Sequence, residues 1–190
     1  MKDDLPIILF ETEQDWIDWL EENVNEPGVW VRIAKKNRGL ISISYQQALD
    51  IALCYGWIDG LKKKFDESTF VQRFTARKQK SNWSRINREK VEMFIAEGKM
   101  KPTGMAAVEL AKKSGSWETA YDSQRNITVP DDLQAELDKN TEAAEFFDKL
   151  ESVNRYAILY RLQIARTPEM RAKKLAKFLE MLIRKEKIHN

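Results

Sequence analysis

Trp57-Ile58-Asp59-Gly60-Leu61-Lys62-Lys63-Lys64-Phe65-Asp66-Glu67-Ser68-Thr69-Phe70-Val71-Gln72-Arg73-Phe74 is the stretch from which the fold is read. Residues 57–61 and 70–74 are rich in aromatic and β-branched side chains, and the polar run Asp66-Glu67-Ser68 lies between them. The pattern predicts a β-hairpin with a loop longer than a two-residue turn. On its N-terminal side, Ser44 and Gln47 form an S-x-x-Q capping box. Ala48, Leu49, Ile51, Ala52 and Tyr55 follow as a buried helix face, with Gly56 placed for a C-cap. Further back, residues 29–33 read as a strand and residues 7–10 as an edge strand. Between them, Thr12 before Glu13-Gln14-Asp15 starts a helix. Trp16, Trp19, Leu20 and Val24 recur in it at helical spacing until Pro27-Gly28. Residues 35–40 make a basic turn around Gly39.

On the C-terminal side, Ser81 or Ser84 caps a helix with Trp83, Ile86, Val91, Phe94 and Ile95 along one side. Pro102-Thr103-Gly104 starts another, with Met105, Val108 and Ala111 inward. Residues 117–130 are irregular and form the internal boundary. Beyond Pro130 the chain reads as helices only, and Thr167-Pro168 starts the last, with Leu175, Phe178, Leu179 and Leu182 on its apolar stripe. The fold class expected is α+β, predominantly helical. A small antiparallel sheet packs on helices in residues 1–118, and a C-terminal helical hairpin or bundle fills residues 130–190.

Lys plus Arg is 32 and Asp plus Glu is 30 in 190 residues. That near-neutrality argues against a bulk nucleic-acid coat and against a disordered acidic tail. The single Cys, Cys54, forms no intramolecular disulfide, and it falls on an apolar helix face where a thiol behaves as a small hydrophobe. The single His, His189, is next to the C-terminus, where a frayed segment positions an imidazole poorly. Ser-His-Asp, Cys-His and zinc chemistry therefore find no support. Neither a dinucleotide fingerprint nor a P-loop occurs. The opening Met1-Lys2-Asp3-Asp4 and the short apolar run after it do not make a signal peptide, and no apolar run spans a bilayer. A reduced, cytoplasmic setting is expected, with no cofactor and no metal.

Charge is segregated along the chain. Residues 62–90 hold ten positives against three acids, and residues 166–187 eight against three. Residues 1–26 hold one Lys against nine acids, and residues 116–151 three positives against ten acids. These runs either neutralise one another or leave a positive face that draws anions. The basic run coincides with the densest collection of Trp, Arg, Ser and Asn. Arg77, Ser81 and Ser84 could converge with a helix N-terminus on a phosphate, sulfate or carboxylate. Trp57 and Trp83 could wall the site. Asp59 would orient Arg77, with Arg73, Thr75 and Asn87 close in sequence. The same residues also admit a structural reading: serines as caps, Trp83 as core, and Asp59 paired with Arg73 or Arg77 to close the sheet.

Several segments also resemble one family. They are Ser44-Tyr45-x-x-Ala48-Leu49, the run Ala52-Leu53-Cys54-Tyr55-Gly56-Trp57-Ile58-Asp59, and Phe74-Thr75-Ala76-Arg77-x-x-x-Ser81-Asn82-Trp83-Ser84-x-x-Asn87. Gly98-Lys99-Met100-x-Pro102-x-Gly104, Trp16-x-x-Trp19-Leu20, Val29-Trp30-Val31 and Lys35-Lys36 join them. So does the tail Ile164-Ala165-Arg166-Thr167-Pro168-Glu169-x-Arg171-x-x-Lys174. Together they resemble the YdeI/OmdA family of bacteriocin-protection proteins over nearly the whole chain. Ala76 stands where that family often has Pro, and Pro168-Glu169-Met170 departs from its usual tail. The resemblance implies an association with tolerance of antimicrobial peptides and with an outer-membrane protein, and it carries no catalytic residues.

The leading expectation is a binding module for an anionic or phosphorylated ligand. The alternative is a protein-interaction factor in bacteriocin or stress tolerance that acts through the basic C-terminal helix. An enzyme would have to work with Asp59 and Arg77, without His or metal. Nucleic acid is a less favoured partner.

Overall fold

Thr12 and Ser44 start two helices by the same local chemistry. The Thr12 hydroxyl accepts from the Asp15 amide at 3.2 Å, and the Asp15 carboxylate accepts from the Thr12 amide at 3.0 Å. Ser44 and Gln47 repeat the exchange at 3.2 and 2.8 Å. Each box satisfies amides that have no partner within the first turn. It thereby fixes the starts of α1 (Glu13–Glu22) and α2 (Tyr45–Cys54). The computed structural model describes residues 5–189, so the Met1-Lys2-Asp3-Asp4 opening lies outside the described residues.

The hairpin forms as expected, from β3 (Trp57–Lys64) and β4 (Thr69–Ala76). Its turn is closed by Asp66, whose Oδ1 accepts from the Ser68 and Thr69 amides at 2.8 and 2.7 Å. Asp66 Oδ2 accepts from Arg32 at 2.7 Å. With β1 (Ile7–Leu9) and β2 (Val29–Ala34) the sheet order is β1-β2-β4-β3. β4 is antiparallel to both neighbours, but β1 joins β2 in parallel, so the sheet is mixed. The reason is connectivity: α1 carries the chain back before β2 begins, and a helical crossover lets neighbouring strands run the same way.

One buried aromatic cluster ties α1, α2 and the sheet together. Trp16 stacks on Trp19 with centroids 5.4 Å apart, meets Phe74 at 5.7 Å and Phe10 at 5.0 Å, and donates its indole N–H to the Ala48 carbonyl at 3.1 Å. After Cys54 the chain reverses at Gly56, whose φ of +79° favours glycine.

The chain forms two compact units. One takes the chain up to Ser81 and then Glu89–Leu110; the other takes Asn82–Arg88 and the chain from Ala111 onward. Helices α3 (Arg85–Ala96) and α4 (Pro102–Lys113) each begin in one and end in the other. In the second unit, α5 (Asp131–Asp138), α6 (Thr141–Lys149), α7 (Ser152–Gln163) and α8 (Pro168–Ile183) surround a core that includes Leu133, Phe147, Ile158, Leu162, Phe178 and Leu182.

Besides the parallel β1, two further expectations change. Trp83 is not on a helix face: Ser84 caps α3 by accepting from the Asn87 amide at 3.3 Å, and Trp83 precedes it. Its carbonyl accepts from the Tyr121 amide at 2.9 Å, and its buried ring meets Trp117 edge-on at 4.8 Å. With the helix starting later, Val91 and Phe94 are buried, whereas Ile86 and Ile95 are exposed. The segment before His189 is also anchored. Buried Asn154 accepts from the amides of Ile188 and His189 at 3.0 and 2.8 Å and donates to the His189 carbonyl. The His189 residue itself is exposed.

Candidate functional site

The Gly56 reversal starts β3 at Trp57, which pairs with Ala76 at the far end of β4. The ladder runs one bond further, from the Arg77 amide to the Gly56 carbonyl at 2.9 Å. Trp57 and Arg77 are thereby held side by side. Both line a cavity of about 230 Å³, together with Leu20 of α1, Val24 just beyond that helix, Tyr55, and Thr103 and Leu110 of α4. The Trp57 ring packs edge-on against Trp19 at 5.7 Å, which makes it a fixed wall.

The other expected site residues of this unit do different work. Asp59 accepts from the Tyr45 hydroxyl at 2.8 Å, so its carboxylate is held by Tyr45, a residue the sequence reading did not propose. Burial, and then the bond to Asp59, push the Tyr45 hydroxyl above its ordinary pKa. The Arg73 guanidinium carbon lies 6.0 Å from the Trp30 ring centroid and passes beside Gly60, where an added Cβ would come within 3.3 Å of its Nε. Thr75 stands opposite Ile58 in the strand ladder. Ser81 accepts from the Lys78 amide at 3.0 Å and closes a short turn. None of these four lines the Trp57–Arg77 cavity. Trp83, Ser84 and Asn87 belong to the second unit, with the core and capping roles given above.

A second cleft, of about 640 Å³, opens on the sheet. Lys35 and Lys36 just beyond β2, Ser44 and Tyr45 at the start of α2, and Lys62, Lys64 and Phe70 of the hairpin line it over Ile33 and Ala34. Lys62 places its ammonium 4.1 Å from the Phe70 centroid. Lys35 donates to the carbonyls of Asp66 and Glu67, and Lys64 pairs with Glu67 at 2.7 Å. The charge count over residues 62–90 held a signal for this cleft, but Lys35 and Lys36 reach it only through the pairing of β2 with β4, and Tyr45 from the start of α2.

A third cavity, of about 560 Å³, has Cys54 on its wall with Glu13, Asp50, Lys99 and Lys101. Its charges are engaged: Asp50 with Lys90 at 2.6 Å, Lys99 with Glu97 at 2.7 Å, and Glu13 with Gln47. Burial pushes the Cys54 thiol up to about 11, which leaves it protonated and weakly nucleophilic at neutral pH. Among the described residues no group of three or more His, Cys, Asp or Glu is arranged to hold a metal. No helix there is long and apolar enough to cross a membrane.

The last helix, expected to present basic residues to a partner, uses some of them internally. Arg171 makes a bidentate pair with Asp132 at 2.6 and 2.8 Å, and Lys174 donates to the Arg161 carbonyl at 2.7 Å. Lys173 and Lys177 remain exposed.

Comparison with known proteins divides the chain in two. Residues 8–107 match the family model described as a domain of unknown function, DUF8412. Residues 126–185 match the model described as Bacteriocin-protection, YdeI or OmpD-Associated. No curated protein and no solved structure matches the chain. The motifs quoted from residues 16–104 fall in the first match, and the motif of residues 164–174 falls in the second. The chain belongs to the DUF8412 family and carries, at residues 126–185, the bacteriocin-protection, YdeI or OmpD-associated domain.

Proposed function

We propose that the protein is a cytoplasmic binding module that takes a small anion at Arg77. One observation supports the reading: Trp57 and Arg77, far apart in sequence, line the same cavity. A guanidinium offers a rigid fork of donors to a carboxylate or phosphate. The apolar walls from Leu20, Val24 and Leu110 reduce solvent screening of that pair. At about 230 Å³ the space suits a compact acid, being smaller than the roughly 300–1,000 Å³ of drug-sized sites.

Titration calorimetry with inorganic phosphate and with benzoate tests it. Arg77→Ala should weaken binding of the accepted probe at least about tenfold, matching loss of a charge-assisted hydrogen bond. Arg77→Lys should retain the fold and part of the affinity, so it carries the test if the alanine variant unfolds. Heat from neither probe, or affinity unchanged in both variants, would overturn the proposal.

The alternative, capture of a protein partner through α8, draws on the family description of residues 126–185. Removing the helix would expose the core around Phe178 and Leu182. Lys173→Glu with Lys177→Glu is therefore the cleaner probe, and lost partner capture with retained anion binding would favour this alternative.

A further inference from the structure

We propose that the lysine-rimmed cleft on the sheet binds single-stranded nucleic acid. Among the described residues four lysines line it and no carboxylate does, Glu67 pairing with Lys64 from the hairpin turn. Lys62 and Lys64 lie two residues apart on β3, so they share a face at a spacing of about 6.8 Å. That spacing is close to the repeat of phosphates along an extended single strand. β3 is an edge strand exposed from Gly60 to Lys64, so a long ligand can follow it without obstruction.

The floor is apolar and sequence-neutral. Phe70 and Tyr45 supply aromatic rings, and an aromatic face stacks on any base. The Lys62 ammonium already covers the Phe70 ring. A base arriving there takes over the ring while the ammonium moves to a phosphate. Lys35 is fastened to the hairpin turn, so one cation is held in place before binding. The cleft is a trough open to solvent, unlike the enclosing site a free nucleotide needs, and this favours a polymer over a mononucleotide.

Lysines on an edge strand also discourage strand addition. That role accounts for Lys62 and Lys64, but not for Lys35 and Lys36, which reach the same cleft from the end of β2. The proposal uses residues other than Trp57 and Arg77, and the two readings fail separately.

Fluorescence anisotropy of labelled oligo-dT at low salt tests it. Binding should weaken with salt at a log–log slope of roughly −2 to −3, from about 0.7 per phosphate neutralised by three or four lysines. Lys36→Gln with Lys62→Gln and Lys64→Gln should weaken binding at least tenfold and flatten that slope by about 2. Lys149→Gln with Lys185→Gln on the other unit should leave it unchanged. These lysines are solvent-exposed, so the triple variant should keep its circular dichroism spectrum; if it does not, Lys62→Gln alone should still flatten the slope. No anisotropy change at low salt, a slope unaltered by the cleft variants, or displacement of the oligonucleotide equally well by AMP or polyglutamate would each overturn the proposal.

Discussion

Gln72 is buried within β4, and its Nε2 donates to the Gly60 carbonyl at 2.9 Å and reaches the Leu61 carbonyl at 3.4 Å. Between the pairs Asp59↔Phe74 and Lys62↔Gln72, two residues of β3 stand opposite Arg73 alone. A bulge of this kind leaves ladder groups unpaired, and the Gln72 amide supplies what the ladder omits. Gln72→Leu should therefore cost about 1 kcal/mol, the net worth of a hydrogen bond whose acceptors lie on an exposed edge. Urea unfolding should show a lower midpoint at unchanged m-value; an unmoved midpoint would mean that water serves equally well. Gly104 is a second position of this kind. An added Cβ there would overlap the Cys54 carbonyl oxygen, which already accepts from the Lys101 amide at 3.0 Å. Gly→Ala within a helix ordinarily stabilises by up to about 1 kcal/mol. Here Gly104→Ala should instead destabilise by about 1–3 kcal/mol, as overpacking does, and thermal unfolding gives the sign directly.

Helices α5 and α8 are joined by the Asp132–Arg171 pair, and Arg171 adds a bond to the Leu162 carbonyl at 3.0 Å. The hydrogen bonds from Arg171 hold the Asp132 carboxyl below its usual pKa despite partial burial. A carboxyl depressed in the folded state contributes stability above its unfolded pKa, near 4, and loses it as pH falls through the folded value. Asp132→Asn should thus cost about 1 kcal/mol at pH 7, as a bidentate but partly exposed pair does. The gap to wild type should narrow at pH 3, as read by urea midpoints at the two pH values. Equal gaps at both would remove the ion pair as the cause. At this scale the start of α3 also shows what periodicity misses. Apolar spacing admits Trp83 and Ile86 as one face, whereas Ser84 decides the start, and capping is a hydrogen bond rather than a pattern.

Across the whole chain, local chemistry was legible and distant pairing was not. The Thr12 helix start, the Ser44–Gln47 capping box, the hairpin and the helical C-terminal half follow from residues close in sequence. The parallel pairing of β1, the Tyr45–Asp59 bond and the Asn154 anchor join residues whose separation carries no periodic signal. Of the expected site, the sharing of one cavity by Trp57 and Arg77 followed from the hairpin. The lysine cleft emerged only once β2 and β3 took their places on either side of β4. Some of the segregated charges meet in pairs, such as Asp66 with Arg32, Lys90 with Asp50 and Arg85 with Asp122, while the lysines of the cleft gather on one face. The Cys54 thiol of the first unit is unique in the chain, buried, and protonated at neutral pH. A disulfide dye can then reach it chiefly when the end of α2 loosens. The rate of colour release, followed through increasing urea, becomes an intrinsic clock for local opening that needs no engineered label.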